Sequence, residues 1–220
     1  MRCIIAGTLF SLFFCTQALA QVNDPQHLLD SLIERGKLEL PDTSKALWYT
    51  DMAMAYFFLE TDSVLPYAEK GLTFSKSINY TKGIGWSLVP MGRMAARSGN
   101  YAASDSLYLQ SIKEFEKAGD SLSLADALME RARNQIRTDA VLEAESSIQR
   151  GLKIALVNED WALAAKAEHQ MGTLRRNQQR FDEALTYYQS ALEHAEVENS
   201  LSLMANAYSG ISLVYDSSGD

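Results

Sequence analysis

The chain has 220 residues, 47% of them hydrophobic and 22% charged, with 28 acidic against 20 basic side chains for a formal net charge of −8. That apolar share is enough to bury a sizeable core and excludes a disordered chain, while the acidic balance makes nucleic acid and anionic membrane surfaces poor partners. Gly and Pro together number only 16, and Ala plus Leu number 55 against 27 for Val, Ile and Thr; this excess of helix formers predicts an all-α chain and excludes sandwiches, barrels and propellers.

Residues 1–20 have the form of a signal peptide. Met1-Arg2 supplies a positive start, Ile4 to Phe14 is nearly continuous apolar sequence, and Ala18-Leu19-Ala20 places small residues ahead of the polar Gln21-Val22-Asn23-Asp24. Thr8, Ser11, Thr16 and Gln17 interrupt the apolar stretch, which falls short of the ~20 residues a membrane span needs. Phe13-Phe14 stand before Cys15 where a lipidation site wants small residues, which speaks against a lipoprotein. Cleavage near Ala20-Gln21 predicts an exported protein, periplasmic or extracellular. Both cysteines, Cys3 and Cys15, leave with the leader, so the mature chain has no disulfide, thiolate nucleophile or cysteine-based zinc site. Loss of Arg2 leaves 19 basic against 28 acidic side chains, a net charge of −9. No segment within 21–220 is apolar enough to span a bilayer.

Residues 21–40 predict one helix and a linker, the helix covering 24–35 with Asp24 as its cap, Pro25 in its first position and Gly36 after its end. From there the chain repeats itself at an offset of forty. Gly92 falls on Gly172, Tyr101 on Phe181, Tyr108 on Ile148 and Tyr188, and Glu69-Lys70-Gly71-Leu72 on Gln149-Arg150-Gly151-Leu152. Units at 41–80, 81–120, 121–160, 161–199 and an incomplete 200–220 each hold a pair of helical stretches. First helices are predicted near 44–59, 81–97, 121–137, 160–177 and 200–216, and second helices near 62–77, 101–118, 140–156 and 181–196. Asp62 and Asp120 suit N-caps, their side-chain oxygens accepting from exposed first-turn amides. Pro90, inside a first helix, deletes a backbone hydrogen bond and predicts a kink there.

The units resemble the tetratricopeptide repeat. The fourth carries Met171-Gly172, then Arg180-Phe181-Asp182-Glu183-Ala184, Tyr188 and Ala191, similar to the family's Leu-Gly followed by Ala-x-x-x-Phe and a further Ala. The second repeats Met91-Gly92, Tyr101 and Tyr108; the fifth has Tyr208, Ile211-Ser212 and Tyr215; the first has Tyr49, Met52-Ala53 and Tyr56. The third is weakest, keeping Ala144, Ile148 and Gly151 but placing Ala132 where the glycine belongs. A period of forty rather than thirty-four and the missing terminal prolines depart from the family pattern. HEAT-like repeats share the longer period and tolerate a proline in the first helix, and stand as an alternative ahead of a non-repetitive bundle. The resemblance implies a right-handed solenoid of antiparallel helix pairs whose first helices line a concave groove for extended peptides.

The residues offer no catalytic chemistry. His27, His169 and His194 lack a second His or Cys at helical spacing, so no metal pair is presented. No nucleophile elbow, phosphate-cradling glycine loop or zinc-protease motif occurs, and Glu114, Glu116, Glu143, Glu145, Asp182 and Glu183 read as solvated charge. Trp48, Trp86 and Trp161 read as core or groove wall. No cofactor is implied.

One constellation stands out. Arg93 and Arg97 are i,i+4 neighbours on a first helix, and Arg133 and Arg137 repeat them one unit later; Arg176 lies near the extension of that column, with Thr173 and Asn177 at the strict positions. Such a column predicts one basic patch, suited to carboxylates through the arginine fork, unless local acids such as Glu130 neutralise it. The leading functional reading is an exported interaction module binding a peptide or protein, an acidic one by preference, in its groove. The alternative is the extracytoplasmic sensor portion of a longer signal-transduction protein, a histidine kinase or DNA-binding regulator, truncated at residue 220. A carbohydrate- or small-molecule-binding solenoid is the weakest of the three. Residues 200–215 carry no charge, so the last helix is expected to expose apolar side chains that a further segment or another chain, including a second copy, would cover.

Overall fold

The computed structural model describes residues 25–59 and 62–218; the leader, the Asp24 cap and the turn expected at 219–220 lie outside them. Ten α-helices follow one another: α1 Pro25–Gly36, α2 Asp42–Leu59, α3 Val64–Ser77, α4 Thr81–Arg97, α5 Tyr101–Ala118, α6 Ser121–Arg137, α7 Val141–Val157, α8 Trp161–Asn177, α9 Phe181–Val197 and α10 Leu201–Ser218. Among the described residues there is no strand and no helix long and apolar enough to cross a membrane.

The turns explain why the period is forty. A residue in the left-handed region recurs every twenty positions, at Asn79, Gly99, Gly119, Asp139, Glu159, Gln179 and Asn199. At each, the amide one residue further on donates to a carbonyl five residues back, as Asp120 to Phe115 and Arg180 to Arg175, and the left-handed residue donates three back, as Gly119 to Glu116. Seven such motifs, which close the helix on its own last carbonyls, end every helix from α3 to α9 and return the chain antiparallel, so that α4 to α9 each run 17 or 18 residues. The opposite ends are held by Asn100, Asp120 and Asp160, whose side chains accept from Ala103, Ser123 and Leu163 at 3.1, 3.1 and 2.9 Å. Asp62 does not cap: α3 begins at Val64, and Ser63 before it makes no side-chain cap bond either. A Cβ on Gly119 meets nothing within 4 Å, so Gly119→Ala isolates the backbone cost. It is expected to lose about 1 kcal/mol in urea unfolding, and an unchanged midpoint would mean that the turn is not held left-handed.

Neighbouring helices pack in chain order, and successive first helices α2, α4, α6, α8 and α10 also touch. One buried cluster runs from Val89 on α4 to Leu174 on α8. Helix pairs close through a small residue facing a ring. A Cβ on Gly92 would lie 2.7 Å from the Tyr108 ring, and one on Gly172 2.8 Å from Tyr188; Gly210 faces Tyr188 from the other side. In the third unit the pattern shifts to Ala132 with Ile148, both buried in the same cluster. A larger small residue meets a smaller large one, and the weak match there is a volume exchange. Ala144, Ala184 and Ala191 are buried where second helices meet their partners. Pro90 is also buried, but the helix is unbroken from Thr81 to Arg97, so the proline does not divide α4.

α1 docks on α2 through Leu29 and Leu32 against Met52 and Ala55, and the Trp48 indole donates to the Leu32 carbonyl at 2.8 Å. At the other end, α10 buries Ala207 and Val214 but leaves Leu201, Tyr208, Leu213 and Tyr215 exposed, while Leu203, Met204 and Ile211 are half-covered.

Candidate functional site: a basic groove across the first helices

The forty-residue spacing stacks α4 and α6 so that Arg93, Arg97, Arg133 and Arg137 line one depression of about 620 Å³. Its far wall is Phe57 and Phe58 at the end of α2, and its floor includes Tyr108 and Glu130. A second depression of about 430 Å³ adjoins it toward α10 and shares Arg133, Arg137 and Lys166 with the first. Together they form a groove across the first helices. Arg176 is not among the lining residues; Thr173 and Asn177, at the strict register positions, are.

The four arginines are not equivalent. Glu130 is only 5% exposed and holds Arg93 at 2.8 Å and Arg133 at 3.1 Å. The Tyr108 hydroxyl lies 3.5 Å from the same carboxylate; burial first, and the Glu130 charge second, push that phenol far above its ordinary range. Thus a buried acid, not solvent, balances one half of the basic column. Arg97 donates to the Phe57 carbonyl at 3.2 Å, and the Arg93 and Arg97 guanidiniums sit over the Phe57 ring at 5.8 and 5.4 Å, a cation–π arrangement. Arg137 makes no ion pair among the described residues.

Lys166 and His169 join this surface from α8, and the arginine column alone did not point to them. Lys166 occupies the position one period after Asp126 and lies 3.5 Å from it. His169 packs its ring 5.3 Å from Tyr188, whose hydroxyl is 3.1 Å from Thr173. Burial holds the His169 imidazole below its usual range; a backbone hydrogen bond with Asn206 opposes this, and the charges of Arg133 and Arg176 add to it.

Two of the acids expected to be solvated, Glu145 and Glu183, are tied into the fold. Glu145 on α7 receives a two-pronged contact from buried Arg175 on α8, which also reaches Glu183 on α9 at 3.3 Å. That fork holds the Glu145 carboxyl below its ordinary range. His194 bonds Glu168 at 2.7 Å beneath the stacked Trp161 ring, away from the groove lining. Trp86 packs edge-on to Phe115. Among the described residues no group of three or more His, Cys, Asp or Glu is placed to hold a metal ion. What the groove offers a ligand is positive charge, hydrogen-bond donors and an aromatic end.

The tetratricopeptide-repeat family model matches residues 163–220, the fourth helix pair and α10. The chain is similar in structure to BtubC (BKLC) from P. vanneervenii, with 11% identity and a TM-score of 0.69 over 91% of this chain and 84% of that one. It is also similar to aspartyl phosphate phosphatase F from Bacillus subtilis, with 16% identity and a TM-score of 0.67 over 93% of this chain. The match spans 63% of the phosphatase chain, and at these identities both likenesses concern the fold. No curated protein matches the sequence. The family match assigns the tetratricopeptide repeat to residues 163–220, and the repeated helix pairs and the two solved structures show that the chain has a tetratricopeptide-type helical-repeat fold.

Proposed function

We propose that the protein is an exported, non-catalytic interaction module that holds an acidic segment of a peptide or protein partner across its first-helix groove. The fold favours an interaction scaffold, since stacked helix pairs display a curved surface rather than a reaction cleft. The observation that carries the reading is the charge reversal. In a chain of net charge −8, Arg93, Arg97, Arg133, Arg137 and Lys166 line one continuous groove with Phe57 and Phe58 at its end. An arginine fork recognises carboxylates through paired hydrogen bonds, and the exposed Phe58 offers a seat for an apolar side chain.

The test pairs Arg97→Ala with Arg137→Ala and measures binding of an Asp/Glu-rich peptide by fluorescence anisotropy. The expected result is a fall in affinity of about tenfold or more, from two lost contacts to an anion at roughly 1 kcal/mol each. The thermal midpoint moves little, because both side chains are exposed. A double variant that binds as tightly as the parent overturns the reading. Export is tested separately: the amino terminus of the mature protein, recovered from the producing cell, is expected at Gln21.

A further inference from the structure

The depression between α6, α8 and α10 differs from the rest of the groove in its charge balance. Arg133, Arg137, Lys166 and His169 converge on it, and no carboxylate lines it. The acids that offset these cations face the other half: Glu130 holds Arg133 and Arg93, and Asp126 stands beside Lys166. Arg137 has no ion-pair partner among the described residues. The neutral lining supplies more donors through Asn177 and Asn206. The volume of about 430 Å³ lies in the range of sites for small ligand groups. A single carboxylate carries one charge and two acceptor oxygens. Several cations converging on one cavity are better matched by a group of two charges and three oxygens.

On these grounds, and resting on the groove reading above, we infer that this cavity seats a dianionic phosphoryl group of the ligand and that a proton enters His169 as the group binds. The proton follows from the surroundings of the ring. His169 is faced by Arg133 and Arg137 from α6, by Lys166 and Arg176 on its own helix, by Tyr188 from α9 and by uncharged Asn206 from α10. With the cavity empty, burial together with the Arg133 and Arg176 charges favours the neutral ring, against the opposing backbone hydrogen bond with Asn206. A dianion reverses the local field and favours the charged one. The sign is therefore fixed: the bound form carries the higher pKa, so affinity rises as pH falls through the range between the free and bound values.

Sulfate is the probe for pH, since its charge does not change between pH 5.5 and 7.5 whereas a phosphate monoester titrates at about 6 and inorganic phosphate also titrates within that range. Calorimetric titration of the whole chain is expected to show sulfate and inorganic phosphate binding at least tenfold tighter than acetate. Sulfate affinity is expected to rise roughly three- to fivefold from pH 7.5 to 5.5, since a one-unit rise in one group's pKa gives its full tenfold only below both the free and bound values, with proton uptake detected from two buffers of unequal ionisation heat. His169→Gln removes the uptake and flattens the profile between pH 5.5 and 7.5. Arg137→Gln loses fivefold or more for sulfate. Should His169→Gln fail to fold, the imidazole titration of the parent by NMR, with and without sulfate, reads the same shift. A pH-independent sulfate affinity, or uptake that survives His169→Gln, overturns the coupling.

The source of the group is read with a phosphoserine peptide set in an acidic sequence and its Ser and Glu counterparts. A phosphoserine form about tenfold tighter than both supports the inference. Equal binding of the Glu form leaves the acidic-segment reading standing and overturns the phosphoryl assignment. Phosphate binding with no peptide binding keeps the cavity as a free-anion site and overturns the groove reading instead.

Discussion

Glu130→Ala is expected to destabilise the fold by about 3 kcal/mol, the scale on which removing one partner strands a buried charge. Glu130 stands inside the stack on α6, almost fully covered, and receives the guanidiniums of Arg93 from α4 and Arg133 from its own helix. Without it, Arg93 and Arg133 stand beside the Tyr108 hydroxyl with no direct ion-pair partner, and the nearby Asp126 is already shared with Lys166. The variant is measured by urea unfolding against the parent. The double variant Glu130→Leu with Arg93→Met, which removes both charges, is expected to lose distinctly less than the single one. A single variant within 0.5 kcal/mol of the parent would mean that solvent, not Glu130, balances the column. Arg93 is therefore held as part of the fold, which leaves Arg97 and Arg137 as the arginines freest to meet a ligand.

This division between structural and available arginines was only half legible in the sequence. The offset of forty placed Arg93, Arg97, Arg133 and Arg137 on one surface because like positions of stacked units must coincide. It could not rank them, because the ranking depends on Glu130, one turn from Arg133, reaching back to the preceding unit. Lys166 and His169 escaped for a related reason. Position 166 holds a cation where position 126 holds an acid, so the charge pattern breaks there while the geometry continues. Helix ends were legible to within about two residues, since turns are polar and helix faces periodic. The twenty-residue rhythm of left-handed turns was hidden, because only Gly99 and Gly119 of its seven positions are glycine. Glu159 and Gln179 adopt that conformation with nothing in their chemistry to announce it.

Gly172→Ala is expected to cost about 2 kcal/mol by overpacking, beyond the roughly 1 kcal/mol that alanine adds in helix propensity. Its Cβ would come within 2.8 Å of the Tyr188 ring, and that ring has no room to retreat: Gly210 on α10 holds its other side. The His169 ring and the Thr173 hydroxyl also fix it. The third unit shows what relieves the clash, because there an alanine at 132 coexists with an isoleucine at 148. Tyr188→Ile alone leaves a cavity and is expected to cost about 3 kcal/mol. Combined with Gly172→Ala it reproduces the third unit, and the pair is expected to be more stable than the sum of the two by 1 kcal/mol or more. Strict additivity in the unfolding free energies would show that the two positions do not share one space. Because Tyr188 also supports His169 at the wall of the second depression, Gly172→Ala is expected to weaken anion binding along with stability, and the double variant to restore stability without restoring that support.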